Sequence, residues 1–259
     1  MKYKALNCKN FFKILRFKTV DSTNEIAKKL AEENAEEGTV IVAEHQTCGK
    51  GRYERVWFSP KGGLWFSIIL RPKIDPSESF KLSFLAALSV AKALNELYNL
   101  KAEIKWPNDI LINGRKVCGI LSETNIKGEK LNFIILGIGI NANISLEDFP
   151  NELRKTSTSL KSLLGKNILI DMLLQKILTN IGFYYFTLRN FPQYLNELKN
   201  LMKMLGSWIE IETRNEVIEG KVIDLNEKTG GLIVKLKDGS FKEIFDINNC
   251  HIKQYFVEP

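Results

Sequence analysis

Hydrophobic positions along the chain switch between the two-residue period of strands and the 3.6-residue period of helices, and these switches divide it into elements. Residues 14–20 read as a strand leading into Asp21-Ser22-Thr23-Asn24-Glu25. Ser22 and Glu25 there have capping-box spacing, and Ile26, Ala27, Leu30 and Ala31 follow at helical intervals. Residues 39–43 are β-branched and apolar, whereas 45–57 hold almost nothing to bury and read as a mobile cationic loop. Residues 64–70 return to a strand. Residues 79–97 place Phe80, Phe84, Leu88, Ala91 and Leu94 or Leu97 on one face of a long helix that should cover a sheet. From Ile104 the pattern is antiparallel. Asn113-Gly114 is a favoured two-residue hairpin turn between 110–112 and 117–121, and Lys127-Gly128 turns a second hairpin into a return strand at 132–140. A helix over 171–191 is expected to continue past Pro192 into a shorter helix ending near Gly206. Beyond it 208–212, 219–225, 232–236 and 241–245 are short alternating strands broken by Gly230-Gly231 and Asp238-Gly239, the pattern of a small β-barrel. A domain boundary near Gly206 divides the chain into 1–206 and 207–259.

Composition narrows the class. With 44% apolar and 26% charged residues in 259, the chain is an ordinary globular protein, not a disordered or fibrous one. The longest apolar runs, 64–70 and 133–140, fall far short of the ~20 residues of a membrane span. Lys9, Lys13 and Arg16 interrupt any apolar core of a secretory signal. The cysteines at 8, 48, 118 and 250 lack zinc-site spacing and disulfide density, so reduced thiols in a cytoplasm are expected. A formal charge of +7 favours an anionic partner without choosing among nucleic acid, nucleotide and acidic protein.

Two stretches carry candidate chemistry. The loop Gly49-Lys50-Gly51-Arg52-Tyr53-Glu54-Arg55-Val56-Trp57 joins backbone freedom to three cations and a closing aromatic, a combination suited to folding over phosphates. It is not a P-loop, which needs Gly-Lys-Ser/Thr at a helix start. Taken alone it is equally a solvated basic loop. The second stretch is Lys105-Trp106-Pro107-Asn108-Asp109 with Lys116 beyond it, just past the hairpin, where an ammonium bordered by Gly119 can bridge a carboxylate and a phosphate. The plainer alternatives are an exposed strand lysine and ordinary turn residues after Pro107.

These motifs, with Ser59-Pro60-Lys61-Gly62-Gly63-Leu64, Gly119-Ile120-Leu121 and Gly137-Ile138-Gly139-Ile140-Asn141-Ala142-Asn143, occur in an order that resembles biotin protein ligases. The resemblance runs from about Ile14 to the C-terminus. It implies an α+β fold with a mixed, largely antiparallel sheet and helices, like class II aminoacyl-tRNA synthetases, plus a small C-terminal SH3-like β-barrel. It also implies activation of biotin by ATP to biotinyl-5′-AMP, with magnesium, and transfer to a lysine of a biotin carboxyl carrier protein. Only about thirteen residues precede the catalytic pattern, so a monofunctional ligase without a winged helix is expected. By this resemblance Ser22, Thr23, Asn24 and Gln46 meet the ureido ring, Gly63 and Leu64 bring strand backbone to the bicycle, and Gly119 and Gly137 leave room for the valeryl tail. Lys50, Gly51, Arg52 and Arg55 bind the nucleotide phosphates, Trp57 closes over the nucleotide, and Asn108 and Asn141 belong to its site. Lys116 and Arg52 are the catalytic cations. Lys50 stands where the family often has arginine and Glu54 where glycine is common, so this loop differs in fork geometry and local charge.

A lipoate ligase is the nearest alternative enzyme. A nucleic-acid module is the alternative of another class, but no winged helix, zinc finger or RNA-binding signature supports it, and DNA is not expected as a partner. Cys48 and Cys118 have no histidine at readable spacing and read as packing residues. Open sheet edges make a homodimer plausible.

Overall fold

The computed structural model describes residues 11–53, 55–212, 216–245 and 251–256. Cys8 and Cys250, and the expected influence of Glu54 on the loop, lie outside the described residues.

Seven strands form the main sheet: β1 (Lys13–Val20), β2 (Thr39–Gln46), β3 (Leu64–Leu70), β4 (Ala102–Lys105), β5 (Asp109–Ile112), β6 (Arg115–Lys127) and β7 (Lys130–Ile140). Their order across the sheet is β1-β2-β3-β7-β6-β5-β4. Only β1 and β2 run parallel, joined by the crossover helix α1 (Thr23–Glu32), and every other pairing is antiparallel. The β5–β6 turn has Asn113 and Gly114 both at positive φ, 51° and 74°, the backbone its residue pair predicts.

Alternation along the central strands decides what each face meets. Ile41, Ile69, Phe133 and Ile135 pack under Ala27 and Ala31 of α1. Val40, Val42, Phe66, Ile68, Ile134, Leu136 and Ile138 point the other way, beneath α2 (Phe80–Tyr98) and α4 (Ile170–Phe186). With both faces covered, β3 is buried at all seven positions, which explains its almost unbroken apolar run. Between β7 and α4 lies the short helix α3 (Leu160–Leu164).

The helix expected over 171–191 ends earlier. After α4 the chain makes one 3₁₀ turn, Leu188–Asn190, and α5 (Phe191–Leu201) begins with Pro192 in its first turn, where a missing N–H costs no hydrogen bond. Thr187 at the break donates its hydroxyl to Phe183 O at 2.6 Å and accepts from Tyr194 Oη at 2.7 Å, tying the two helices together.

Gly206, at φ +83°, marks the change from helices to strands. The small sheet has five strands, not the four anticipated: β8 (Trp208–Glu212), β9 (Val217–Leu225), β10 (Leu232–Leu236), β11 (Phe241–Ile244) and β12 (His251–Phe256), ordered β11-β10-β9-β8-β12. The fifth escapes a periodicity reading because its pairing with β8 is interrupted by a register shift between Ile252 and Gln254. Ile209, Ile211, Ile218, Val222, Leu232 and Val234 join the same apolar cluster as α2 and α5. The Trp106 indole N–H reaches across to Gly230 O at 2.9 Å.

Candidate functional site

A cavity of about 670 Å³ opens on the α1 face of the sheet, beyond the N-terminus of that helix. The size suits a small-molecule site. Register explains its floor. Trp65, Gly139 and Gly119 lie side by side on β3, β7 and β6, and the next row is Ser67, Gly137 and Leu121. All six belong to the face that carries Ile69 and Ile135, so the glycines open space where other positions on that face carry bulk. The Trp57 ring lies in that space. A Cβ on Gly119 would stand 2.8 Å from its ring carbon, and one on Gly139 would stand 2.4 Å from its Nε1. That Nε1 is buried and makes no hydrogen bond.

The wall at the start of α1 is a chain of buried polar groups. Thr23 donates its backbone N–H to Gln46 Oε1 at 2.7 Å, with its hydroxyl 3.0 Å from the same oxygen. Gln46 Nε2 donates to Ser59 Oγ at 2.8 Å, and Ser59 donates to Trp57 O at 2.9 Å, so the loop's closing residue is attached to the same chain. In the other direction, Ser67 Oγ lies 2.8 Å from Thr23 Oγ1 and 2.6 Å from Asn24 Oδ1. Asn24 Nδ2 donates to Glu123 Oε2 at 2.5 Å. Buried polar groups of this kind persist only when partnered. Ser22 is the helix N-cap by position, but its hydroxyl makes no capping bond, and Glu25 pairs with Lys50 instead of closing a capping box. The Ser22 side chain thus lines the cavity without serving the helix end.

The opposite end is cationic. A register shift in the β5–β6 pairing, opposite Val117, re-aims Lys116 onto the face of Gly119, and its Nζ lies 2.6 Å from Asp109 Oδ1 and 4.8 Å from the Trp57 ring centroid. Arg52 donates to Asn108 Oδ1 at 2.9 Å and to Tyr53 Oη at 2.6 Å. Asn108 in turn donates to Ile120 O at 2.6 Å, which fixes its amide. Lys105 also lines the cavity. Burial pulls its ammonium below the ordinary lysine range; Asp109 opposes that pull and Lys116 adds to it. Lys50, Arg52, Arg55, Lys105, Lys116 and Lys155 surround the cavity, with Asp109 the single carboxylate among its described lining residues.

Of the residues singled out in the sequence, Ser22, Thr23, Asn24, Gln46, Lys50, Gly51 and Arg52 line this one cavity. So do Arg55, Trp57, Asn108, Lys116, Gly119, Gly137 and Asn141. Gly63 and Leu64 do not. Leu64 is wholly buried in the opposite core, and a Cβ on Gly63 would overlap the Trp65 indole at 1.8 Å. The space at Gly137, expected for an acyl tail, holds the Asn24 carboxamide, whose Oδ1 would lie 2.1 Å from a Cβ there. Asn141 donates to Thr158 O at 3.0 Å, fastening that segment beside β6. Local motifs assign no role to Ser59, Ser67 or Glu123, and Lys105 and Asp109 are motif members without one. Ser67 did carry a signal, as the one polar residue inside an apolar strand. Cys118 is fully buried and its thiol is pushed up by that burial, which fits packing and not nucleophilic chemistry; Cys48 is exposed.

Comparison with known proteins places these features in a family. Residues 16–141 match the Biotin/lipoate A/B protein ligase family. The chain is 37% identical over 235 residues to the bifunctional ligase/repressor BirA of Bacillus subtilis, covering 87% of this chain and 70% of that protein. It is 41% identical over 123 residues to a biotin--[acetyl-CoA-carboxylase] ligase of Paracoccus denitrificans, covering 47% of this chain and 51% of that one. Among solved structures, biotin protein ligase from Aquifex aeolicus in complex with biotin and ATP superposes with a TM-score of 0.79 at 32% identity, covering 93% of this chain and 99% of that one.

Proposed function

The chain belongs to the biotin/lipoate A/B protein ligase family, and from that premise we propose that it is a biotin protein ligase. It activates biotin with ATP to biotinyl-5′-AMP and passes the acyl group to one lysine of a biotin carboxyl carrier protein. The observation that carries this reading is the polarity of the cavity: neutral hydroxyl and amide groups at one end, Lys116, Arg52 and Lys105 at the other. A ureido ring, with two N–H donors and one carbonyl, matches the first end. The dithiolane of lipoate has neither, and would offer the polar end of the cavity no hydrogen-bonding group.

In the first half-reaction a biotin carboxylate oxygen attacks the α-phosphorus of ATP, and the bond to the β-phosphate oxygen breaks as pyrophosphate leaves. Two anions must approach each other. Lys116, held at the cavity wall by Asp109, offers its ammonium to both, and Arg52, oriented by Asn108, takes the phosphate oxygens. Lys50, Gly51 and Arg55 supply further phosphate contacts, Trp57 closes over the nucleotide, and Asn141 borders it. Magnesium is expected to enter with the nucleotide. No cluster of three or more metal-ligating side chains occurs among the described residues, but Mg²⁺ commonly takes one carboxylate plus phosphate oxygens, and Asp109 is the carboxylate present. When bound it would neutralise phosphate charge. In the second half-reaction the carrier lysine attacks the acyl carbon, the bond from that carbon to the AMP oxygen breaks, and AMP leaves. Until then residues 49–57 shelter the mixed anhydride from water.

No helix among the described residues is long and apolar enough to cross a membrane. A cytoplasmic location and a homodimer belong to the proposal. β1 and β4 are the edge strands through which such a dimer could pair, and sedimentation velocity decides it. DNA binding forms no part of it. The test of function is incubation with ATP, magnesium, biotin and a biotin carrier domain: one biotinyl group on one carrier lysine is expected, and an unmodified carrier would contradict the proposal.

A further inference from the structure

Ser157 is 8% exposed and lines the cavity, yet its hydroxyl makes no hydrogen bond to any described residue. Ser159, two residues on, differs: its hydroxyl donates to Ile144 O at 2.5 Å and accepts the Ser162 N–H at 3.1 Å. A buried polar group left open toward a cavity is one that a ligand can partner. The Ser157 backbone is held in place. It forms a parallel bridge with Lys116, in which Lys116 N–H donates to Thr156 O at 2.8 Å and Thr158 N–H to Lys116 O at 2.9 Å. Ser157 N–H donates to Leu153 O at 2.8 Å, and Asn141 fastens Thr158 O from the side. Residues bridged in this way lie ~4.8 Å apart with their side chains on one face, so the Ser157 hydroxyl stands beside the Lys116 side chain.

Register fixes where that hydroxyl sits. Gly137 lies against Asn24 at the polar end, Gly139 and Gly119 lie against Trp57, and the Lys116–Ser157 pair is one level further from the polar end. In the ligase reading, on which this inference rests, Lys116 meets the α-phosphate, so Ser157 borders the nucleotide and not the biotin ring. Phe149 and Leu153 line the cavity there and pack with Trp57 in one apolar cluster, a surface for a sugar more than for a triphosphate. Lys155 also lines the cavity, which makes a phosphate the competing occupant. We propose that Ser157 Oγ hydrogen-bonds a ribose hydroxyl of ATP and so selects ribonucleotides over deoxyribonucleotides. The ribose is joined directly to the α-phosphate that Lys116 holds. A serine hydroxyl both donates and accepts, as a ribose hydroxyl does, and an analogue lacking that hydroxyl leaves Ser157 unpaired.

The experiment measures kcat/KM for biotinyl-adenylate formation with ATP, 2′-deoxy-ATP and 3′-deoxy-ATP, at saturating biotin, for wild type, Ser157→Ala and Ser157→Cys. Loss of one neutral hydrogen bond should lower kcat/KM for ATP about 3- to 10-fold in Ser157→Ala, chiefly through KM. One of the two deoxynucleotides, the one lacking the bonded hydroxyl, should be used by Ser157→Ala as well as by wild type. The wild-type preference for ATP over that analogue should therefore shrink by the same factor, a coupling that disturbed packing alone does not produce. Ser157→Cys nearly keeps the side-chain volume and replaces the hydroxyl by a weak donor, so it should show the same loss of preference and decides the matter even where Ser157→Ala fails to fold. The biotin Kd should stay within about twofold in both variants. Equal losses for all three nucleotides mark a phosphate contact or a packing effect and overturn the inference, as does an unchanged preference. A wild-type protein that forms biotinyl-adenylate with none of the three overturns the ligase reading itself, whereas one that forms it without this coupling overturns the Ser157 inference alone.

Discussion

Substituting Gly137 by alanine tests whether the polar wall is the recognition end of the cavity. A Cβ at that position would lie 2.1 Å from Asn24 Oδ1, 2.8 Å from its Cγ and 3.0 Å from its Nδ2. Asn24 is buried at the first turn of α1, and the carboxamide has to retreat by roughly 1 Å to restore van der Waals distance. That displacement carries the bonds to Ser67 and Glu123, now 2.6 and 2.5 Å, to the limit of hydrogen bonding. Losing one neutral bond and one charge-assisted bond costs about 3 kcal/mol, divided between fold stability and the order of the site. We expect Tm to fall by several degrees and the biotin Kd to rise at least ~10-fold, because each 1.4 kcal/mol is about a factor of ten. Gly139→Ala is the control. Its Cβ meets Trp57 and leaves Asn24 alone, so it should disturb closure over the nucleotide more than biotin binding. Calorimetric titration with biotin and a thermal scan on both variants give the answer. A folded Gly137→Ala protein with unchanged Tm and a biotin Kd within about threefold of wild type would refute the reasoning.

Three further outcomes are expected. Lys116→Ala should keep the fold, since the side chain is partly exposed on a strand end, and should slow adenylate formation about 100-fold or more in a pyrophosphate-release assay. Biotin with ATP should slow trypsin cleavage after Lys50, Arg52 and Arg55, because closing residues 49–57 over anions orders a segment of three like charges; equal rates with and without ligand would remove the lid. Lys105 starts with a depressed pKa, and arriving phosphates raise it again. ATP binding at a pH between the depressed and the ordinary lysine values should therefore take up protons, seen as a dependence of the calorimetric heat on buffer ionisation enthalpy that Lys105→Met abolishes.

What could be read in the chain was what local rules govern. The Asn113-Gly114 turn, the apolar stripe of α2 and the uniformly apolar β3 each follow from residue type and period. The ordered motifs marked most of the cavity, because loop and turn chemistry is concentrated in short runs. The polar wall was not legible, since its bonds join residues far apart in the chain: Asn24 with Glu123, Thr23 with Gln46, Ser67 with both Thr23 and Asn24. Ser22 and Glu25 show the same limit from the other side. Their spacing predicts a capping box, yet a tertiary partner, Lys50, takes Glu25 away. At Gly63 and Leu64 the motif is present, but the Leu64 side chain packs into the opposite core and Gly63 against Trp65, so neither lines the cavity.

Whether one cavity joins biotin to ATP is decided by a single-turnover reaction of the purified protein with ATP, magnesium and labelled biotin, without a carrier. Stoichiometric biotinyl-5′-AMP with release of one pyrophosphate is expected, and no adenylate when lipoate replaces biotin. Adenylate formed from lipoate but not from biotin, or from neither, would contradict the biotin ligase reading.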